Sequence, residues 1–308
     1  MKETSSTTNR SVRLRLLRKF RFFAWGVLGC CAVLRAQPVV SPPANSVGSS
    51  EPWATHVTAY VPGSGFAVEF GSGLGYTNSS SILGLPSRVT SGAFGGPVDP
   101  FAPPFLVSQL LSVGATGSIT VELGRPAFNN PAHPHGVDFL VFGNTGFTIT
   151  NGNFTGGGIT DGSLFSAGQG VGRVSVSPDG LNFFTLDPAK APALDSLFPT
   201  DGSGEFHQAV DPRLSAADFA GLSLAGIRDR YAGSGGGTGF DLAWAVDAQG
   251  RPALVDYATH VRIETLSGQL ELDAITVIPE PGVSSLLAIG LVAGALMRWR
   301  RLANQARS

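Results

Sequence analysis

The sequence predicts an all-β body, an antiparallel β-sandwich with long glycine-rich loops, and three observations point to it. Apolar residues recur with a period of two, as in Ile119, Val121 and Leu123 against Thr120 and Glu122; that period sets alternate side chains on opposite faces of a half-buried strand. Asp179-Gly180 stands between two such runs, the signature of a tight hairpin. The chain holds 41 glycines, and its body is poor in Lys and rich in Gly, Ser and Thr, which favours strands joined by turns over helices.

In chain order, the first element is an export signal. Arg13 to Arg21 is basic, Phe22 to Leu34 is apolar, and Ala36 precedes the expected cut, so residues 1–36 read as a secretory signal peptide. Two other readings stay open: an uncleaved N-terminal anchor, and a lipoprotein-type box at Val27 to Cys30 in which Leu28 is unusual. Residues 37–52, rich in Pro, Ser and Ala and without periodicity, read as a linker.

The body is residues 53–278. Gly117 to Leu123 alternates as a half-buried strand; Val137 to Asn144 is more continuously apolar and suits a central strand. Gly172 to Ser177 alternates and runs into the Asp179-Gly180 hairpin, where Gly180 supplies the positive φ of such turns. Thr259 to Leu266 alternates again, and Gln269 to Ile278 reads as the closing strand. Helical patterning is confined to Phe105 to Leu111 and to Leu214 to Ile227, where Ser215 is a candidate N-cap with Asp218 three residues on. Glycine-rich loops occupy Gly143 to Gly172 and Gly233 to Gly239.

Charge and cysteine content exclude several function classes. The two ends hold eight and four of the 21 Lys and Arg but only one of the 22 acids, so the chain between them, residues 37–297, carries nine basic and 21 acidic residues, a net charge of −12. Such a body repels phosphate backbones, and nucleic acid is not an expected partner. Both cysteines, Cys30 and Cys31, fall in the signal segment, so a processed chain stabilises itself by core burial and offers neither a thiolate nucleophile nor a cysteine zinc site. Gly71 to Gly75 lacks the βαβ context of a dinucleotide site, the glycines from 233 to 239 lack a P-loop Lys, and no G-x-S-x-G elbow occurs.

The remaining chemistry candidates are sparse. His133 and His135 flank Pro134 and could hold a metal if the loop folds back, with Asp138 as a third ligand; the alternative is a solvated loop ahead of a strand, since Pro134 limits convergence of the rings. Asp138, Asp241 and Asp273 are candidate calcium ligands, the last two because an acid beside an apolar strand needs a partner or a cation. Asp179 and Asn182 mark a candidate ligand loop. Turn formation is the competing role for each acid.

Taken together, Val-Ser-Pro-Asp-Gly at 176–180, the Val137 to Asn144 run, and the late Val261-Arg262-Ile263 and closing strand resemble a discoidin-like or galactose-binding-like domain of jelly-roll type. That resemblance covers roughly residues 137–278 and implies the sandwich fold and a structural calcium; no other cofactor is expected. The loops here are longer than is usual for such domains.

The tail carries a second resemblance. Val283 to Met297 is fifteen residues without a charge, about 22 Å as a helix against a bilayer core of about 30 Å, with Trp299 and arginines able to reach the interface. Pro279 and Pro281 keep the preceding segment extended, and Arg298, Arg300 and Arg301 set the C-terminus on the cytoplasmic side. Pro279-Glu280-Pro281, an apolar helix and an Arg cluster, in that order over residues 279–308, resemble the tripartite PEP-CTERM sorting signal. The resemblance implies recognition by an exosortase, a membrane-embedded cysteine transpeptidase-like enzyme of Gram-negative bacteria, with Glu280 and its flanking prolines as the recognition element. It implies a precursor held transiently in the inner membrane and then processed near Glu280 to the cell surface or the extracellular, biofilm-type matrix, in the company of extracellular polysaccharide.

The expectation from the whole sequence is an exported, surface-sorted, non-catalytic glycan-associated binding module. The alternatives are a purely structural surface protein and a secreted glycan-active enzyme, whose carboxylate pair is a three-dimensional property that sequence does not display.

Overall fold

The computed structural model describes residues 50–194 and 198–280, all within one unit, Pro42–Ser308. The expected signal segment, most of the linker and the span at 283–297 lie outside the described residues, and no helix among those described is long and apolar enough to cross a membrane.

The described chain is mostly β and its ladders are antiparallel. In order the strands are β1 (Ala54–Val61), β2 (Val89–Thr90), β3 (Gly96–Pro97), β4 (Leu111–Gly114), β5 (Ser118–Phe128), β6 (Phe139–Gly143), β7 (Gly146–Ile149), β8 (Thr160–Phe165), β9 (Gly170–Ser177), β10 (Phe184–Leu186), β11 (Thr238–Phe240), β12 (Ala245–Val246) and β13 (Tyr257–Val277). Two helices, α1 (Ala216–Phe219) and α2 (Leu224–Tyr231), lie between β10 and β11.

β13 organises the rest. The two runs that read separately in the sequence, Thr259 to Leu266 and Gln269 to Ile278, are one strand of 21 residues ending at Val277. Its first half lies between β5 and β9, and that ladder continues to β1 on one side and through β10 to β12 on the other. Its second half lies between β4 and β6, with β11 beyond β6. The changeover is at Leu266 to Gly268, the exposed part of the strand. Gly268 takes φ +69°, and a Cβ there would sit 1.9 Å from the Gln169 carbonyl oxygen, so only glycine lets the strand pass. Burial alternates before this point and is continuous from Leu272 to Val277, matching a half-buried ladder followed by a central strand.

Residues of both ladders meet in one apolar cluster. Ile119 and Val121 of β5 and Val261 and Ile263 of β13 share it with Val113 of β4, Phe139 of β6 and Ile275 of β13. A second, aromatic cluster packs Phe147 of β7 against Phe219 and Tyr231 of the helices. The Phe147 and Phe219 rings are 4.8 Å apart, and Phe219 meets Tyr231 edge-on at 6.0 Å.

Expectations for the local elements fared unequally. The hairpin joins β9 to β10 with Phe184 opposite Val176, and Gly180 has φ +73°. Ser215 opens α1, its backbone N–H donating to Asp218 Oδ2 at 2.8 Å. The helical stretch is broken in two and runs past Ile227 to Tyr231: Gly221, at φ +79°, separates α1 from α2, and Ser223 caps the second. Phe105 to Leu111 is not a helix. It is an extended segment and a turn entering β4, because Leu110 and Leu111 are each drawn fully into the core and Leu111 pairs with Leu272.

Candidate functional site

The residues singled out from sequence are spread over the fold. His133 and Asp138 form a buried pair, Nδ1 to Oδ1 2.9 Å. Asp138 Oδ1 also accepts from the Asn130 N–H at 3.1 Å and Oδ2 from the Leu242 N–H at 2.8 Å. Burial pushes the Asp138 carboxyl up, against the pull of those backbone donors and His133. The carboxylate pins three segments together: the Asn130 turn, the entry to β6 and the 3-10 turn at Leu242–Trp244. His135 turns away, its Nδ1 3.9 Å from Asp211 Oδ1, so the two imidazoles do not converge on one point.

The His133 ring instead reaches the start of the tail. Its Nε2 lies 3.1 Å from Glu280 Oε1 without the alignment of a hydrogen bond, and Asn130 Nδ2 donates to Glu280 Oε2 at 2.6 Å. Pro281, Arg298, Arg300 and Arg301 lie outside the described residues.

The three candidate calcium ligands are not brought together, and no group of three His, Cys, Asp or Glu side chains that could hold a metal forms among the described residues. Asp241 caps the Leu242–Trp244 turn through the Ala243 N–H, at 2.7 Å. Asp273, fully buried on β13, accepts from both the N–H and the hydroxyl of Ser87, at 2.8 and 2.9 Å, and burial pushes its carboxyl up to about 7. Both oxygens of Asp138 and of Asp273, and Oδ1 of Asp241, are engaged by protein donors, which does not suit a common cation site.

Asp179 and Asn182 are likewise engaged with each other. Asp179 Oδ1 accepts from the N–H groups of Leu181 and Asn182, and Oδ2 accepts from the Asn182 amide at 2.7 Å. Those donors, the Asn182 backbone foremost, hold the Asp179 carboxyl far below its ordinary range. The loop is a well-tied turn with one apolar tip, Leu181.

Sequence reasoning missed the principal cleft. It has a volume of about 560 Å³, and its walls include Phe70, Phe94, Phe165, Asp99, Asn144 and Glu271. Phe70 and Phe94 are 92 % and 90 % exposed. Phe70 stands at the tip of a reversal closed by Glu69 N–H to Leu74 O at 2.8 Å and Tyr76 N–H to Ala67 O at 3.1 Å. The Glu69 carboxylate anchors that reversal by accepting from the Val107 N–H at 2.8 Å. Phe94 stands at the tip between β2 and β3. Glu271 comes from β13 and accepts from Asn144 Nδ2, which follows β6, so the polar part of the cleft is built on the central ladder.

Tyr76 also lines it, donating to Phe105 O at 2.6 Å. Burial, then the charges of Glu271 and Glu69, push that phenol up to about 12, which keeps it a donor. Thr90, 4 % exposed, lines the same cleft with its hydroxyl oxygen buried and without a partner. The cleft thus offers flat apolar faces, acceptors and amide and hydroxyl groups, and no Lys, Arg or His lines it among the described residues.

The signal that marks this cleft in the sequence is faint: Phe70 and Phe94 each precede glycine in loops without periodicity. Compared with known proteins, the chain matches no family model and no curated protein.

Proposed function

We propose that the chain is an exported protein carrying a PEP-CTERM-type sorting signal, delivered through a transient inner-membrane stage to the cell surface or extracellular matrix. Its body, in this reading, is a galactose-binding-like β-sandwich that binds extracellular polysaccharide without turning it over. The packing of both ladders of β13 into one core supports the sandwich. The observation that carries the binding role is the cleft, where exposed Phe70 and Phe94 border Asp99, Asn144 and Glu271. Solvent-exposed aromatic faces beside hydrogen-bonding groups are what a polyhydroxylated ligand with apolar faces requires.

Two measurements test this reading. The protein should be retained on polysaccharide from its host and release no reducing ends; failure of retention removes the binding role. The mature protein from the host should have a mass that excludes Arg301; an intact tail overturns the sorting role, whatever the outcome for binding.

A glycan-active enzyme is the second reading, because Asp99 and Glu271 share the cleft and burial pushes the Asp99 carboxyl up, as a general acid requires. Reducing-end release abolished by Glu271→Gln would establish it.

A further inference from the structure

Two hollows meet at one turn. Asp99 and Ala102 line both the 560 Å³ cleft and a neighbouring hollow of about 290 Å³, whose other walls include Ile149, Asn153 and Phe154. The turn is locally fixed. Asp99 Oδ1 accepts from the Phe101 and Ala102 N–H groups at 2.8 and 3.1 Å, and the Asp99 and Ala102 backbones bond to each other in both directions. A stable ridge therefore carries a carboxylate between two apolar-walled hollows.

Phe70 and Phe94 border the first hollow, and Phe154, 74 % exposed, borders the second. A single exposed aromatic residue is ordinary, whereas three around two adjoining hollows mark a binding surface. Thr90, which lines the first hollow, adds an independent sign: its buried hydroxyl lacks a protein partner, a costly condition for a polar group.

We propose that the two hollows are consecutive subsites of one groove that takes an uncharged saccharide chain. The proposal rests on the reading of the body as a glycan-binding module. The C–H face of a pyranose ring covers a phenylalanine face, and its hydroxyls both donate and accept, matching the Asn144–Glu271 pair, Asp99 and Thr90. An acidic polysaccharide would set its carboxylates against Asp99 and Glu271, and no Lys, Arg or His lines either hollow among the described residues to offset them.

The test uses the full-length protein in detergent and titration calorimetry. The probes are neutral β-1,4-glucan, α-1,4-glucan and β-1,4-mannan oligomers of two and six residues, with polygalacturonate and hexalysine for the other chemistries. At least one neutral hexasaccharide should bind, and its disaccharide at least tenfold more weakly. Phe154→Ala should weaken the hexasaccharide fivefold or more and leave the disaccharide unchanged, whereas Phe70→Ala should weaken both. Both side chains are on the surface, and circular dichroism verifies that the variants keep the fold.

Absence of binding to every neutral oligomer, equal affinity for two and six residues, or tighter binding of polygalacturonate or hexalysine overturns the proposal. Retention on host polysaccharide that survives both substitutions removes the groove while leaving the binding role intact. Loss of all retention by the unaltered protein removes both.

Discussion

Asp273 sits on β13 with no exposed side-chain surface to speak of, its two oxygens held by one serine. An unfolded aspartate titrates near ~3.9, while burial raises the folded group to about 7. Between those values the native state holds a proton that the unfolded state has released. Asp273 therefore favours folding most below about pH 4, and that contribution declines as pH rises toward 7. Asp273→Asn, neutral at every pH, should flatten the Tm profile between pH 5 and 8 and exceed the parent in Tm at pH 8. A variant that keeps the parent slope would show that the titration belongs elsewhere. Asp138 plays a different part, since its loss strands the Asn130 and Leu242 N–H groups and the His133 ring. Asp138→Ala should cost on the order of 3–5 kcal/mol in denaturant unfolding, the scale of an orphaned buried network. Sequence named both acids as candidate calcium ligands and gave a partner as the alternative for Asp273; the partners are Ser87 for Asp273, and His133 with the Asn130 and Leu242 amides for Asp138, of which Ser87 and Leu242 arrive only with the fold.

Among the elements, β13 departs most from its sequence reading. The period-two pattern identified its two halves correctly, but the Ser267-Gly268 interruption looks like a turn in one dimension. Pairing decides otherwise, because each half finds two neighbours and the backbone runs through. Gly268 and Gly221 both have positive φ, yet a Cβ meets the Gln169 carbonyl at the first and open space at the second. Gly221→Ala should cost about 1 kcal/mol, the backbone penalty alone, and Gly268→Ala roughly 2–4 kcal/mol once the clash is added. Equal costs in urea titrations would mean that β13 has no tight crossing there. The Phe105 to Leu111 segment shows the opposite failure, a helical pattern overridden because β13 offers Leu111 a ladder position.

At the scale of the whole molecule, β1 and β5 from the first part of the body and β9 from the second flank the same strand or its neighbour. Removing either set exposes β13 and its shared core. Heat unfolding should accordingly be a single cooperative transition, with the amides of Val261 and Ile275 exchanging together through global opening. Two resolved transitions, or markedly faster exchange in one half of β13, would show that the ladders are separate folding units.

By itself the sequence determined the β character of the body, its hairpin at Asp179-Gly180, its acidic charge and the order of signals proposed to address it, because periodicity, turn chemistry and net charge are local or additive properties. Only the tertiary structure decided that two strands are one, that the candidate metal acids serve as internal ties, and that Phe70, Phe94 and Phe154 border two adjoining hollows. Those outcomes depend on which segments pack together, and a phenylalanine in a glycine-rich loop carries no periodicity to declare in advance which way it faces.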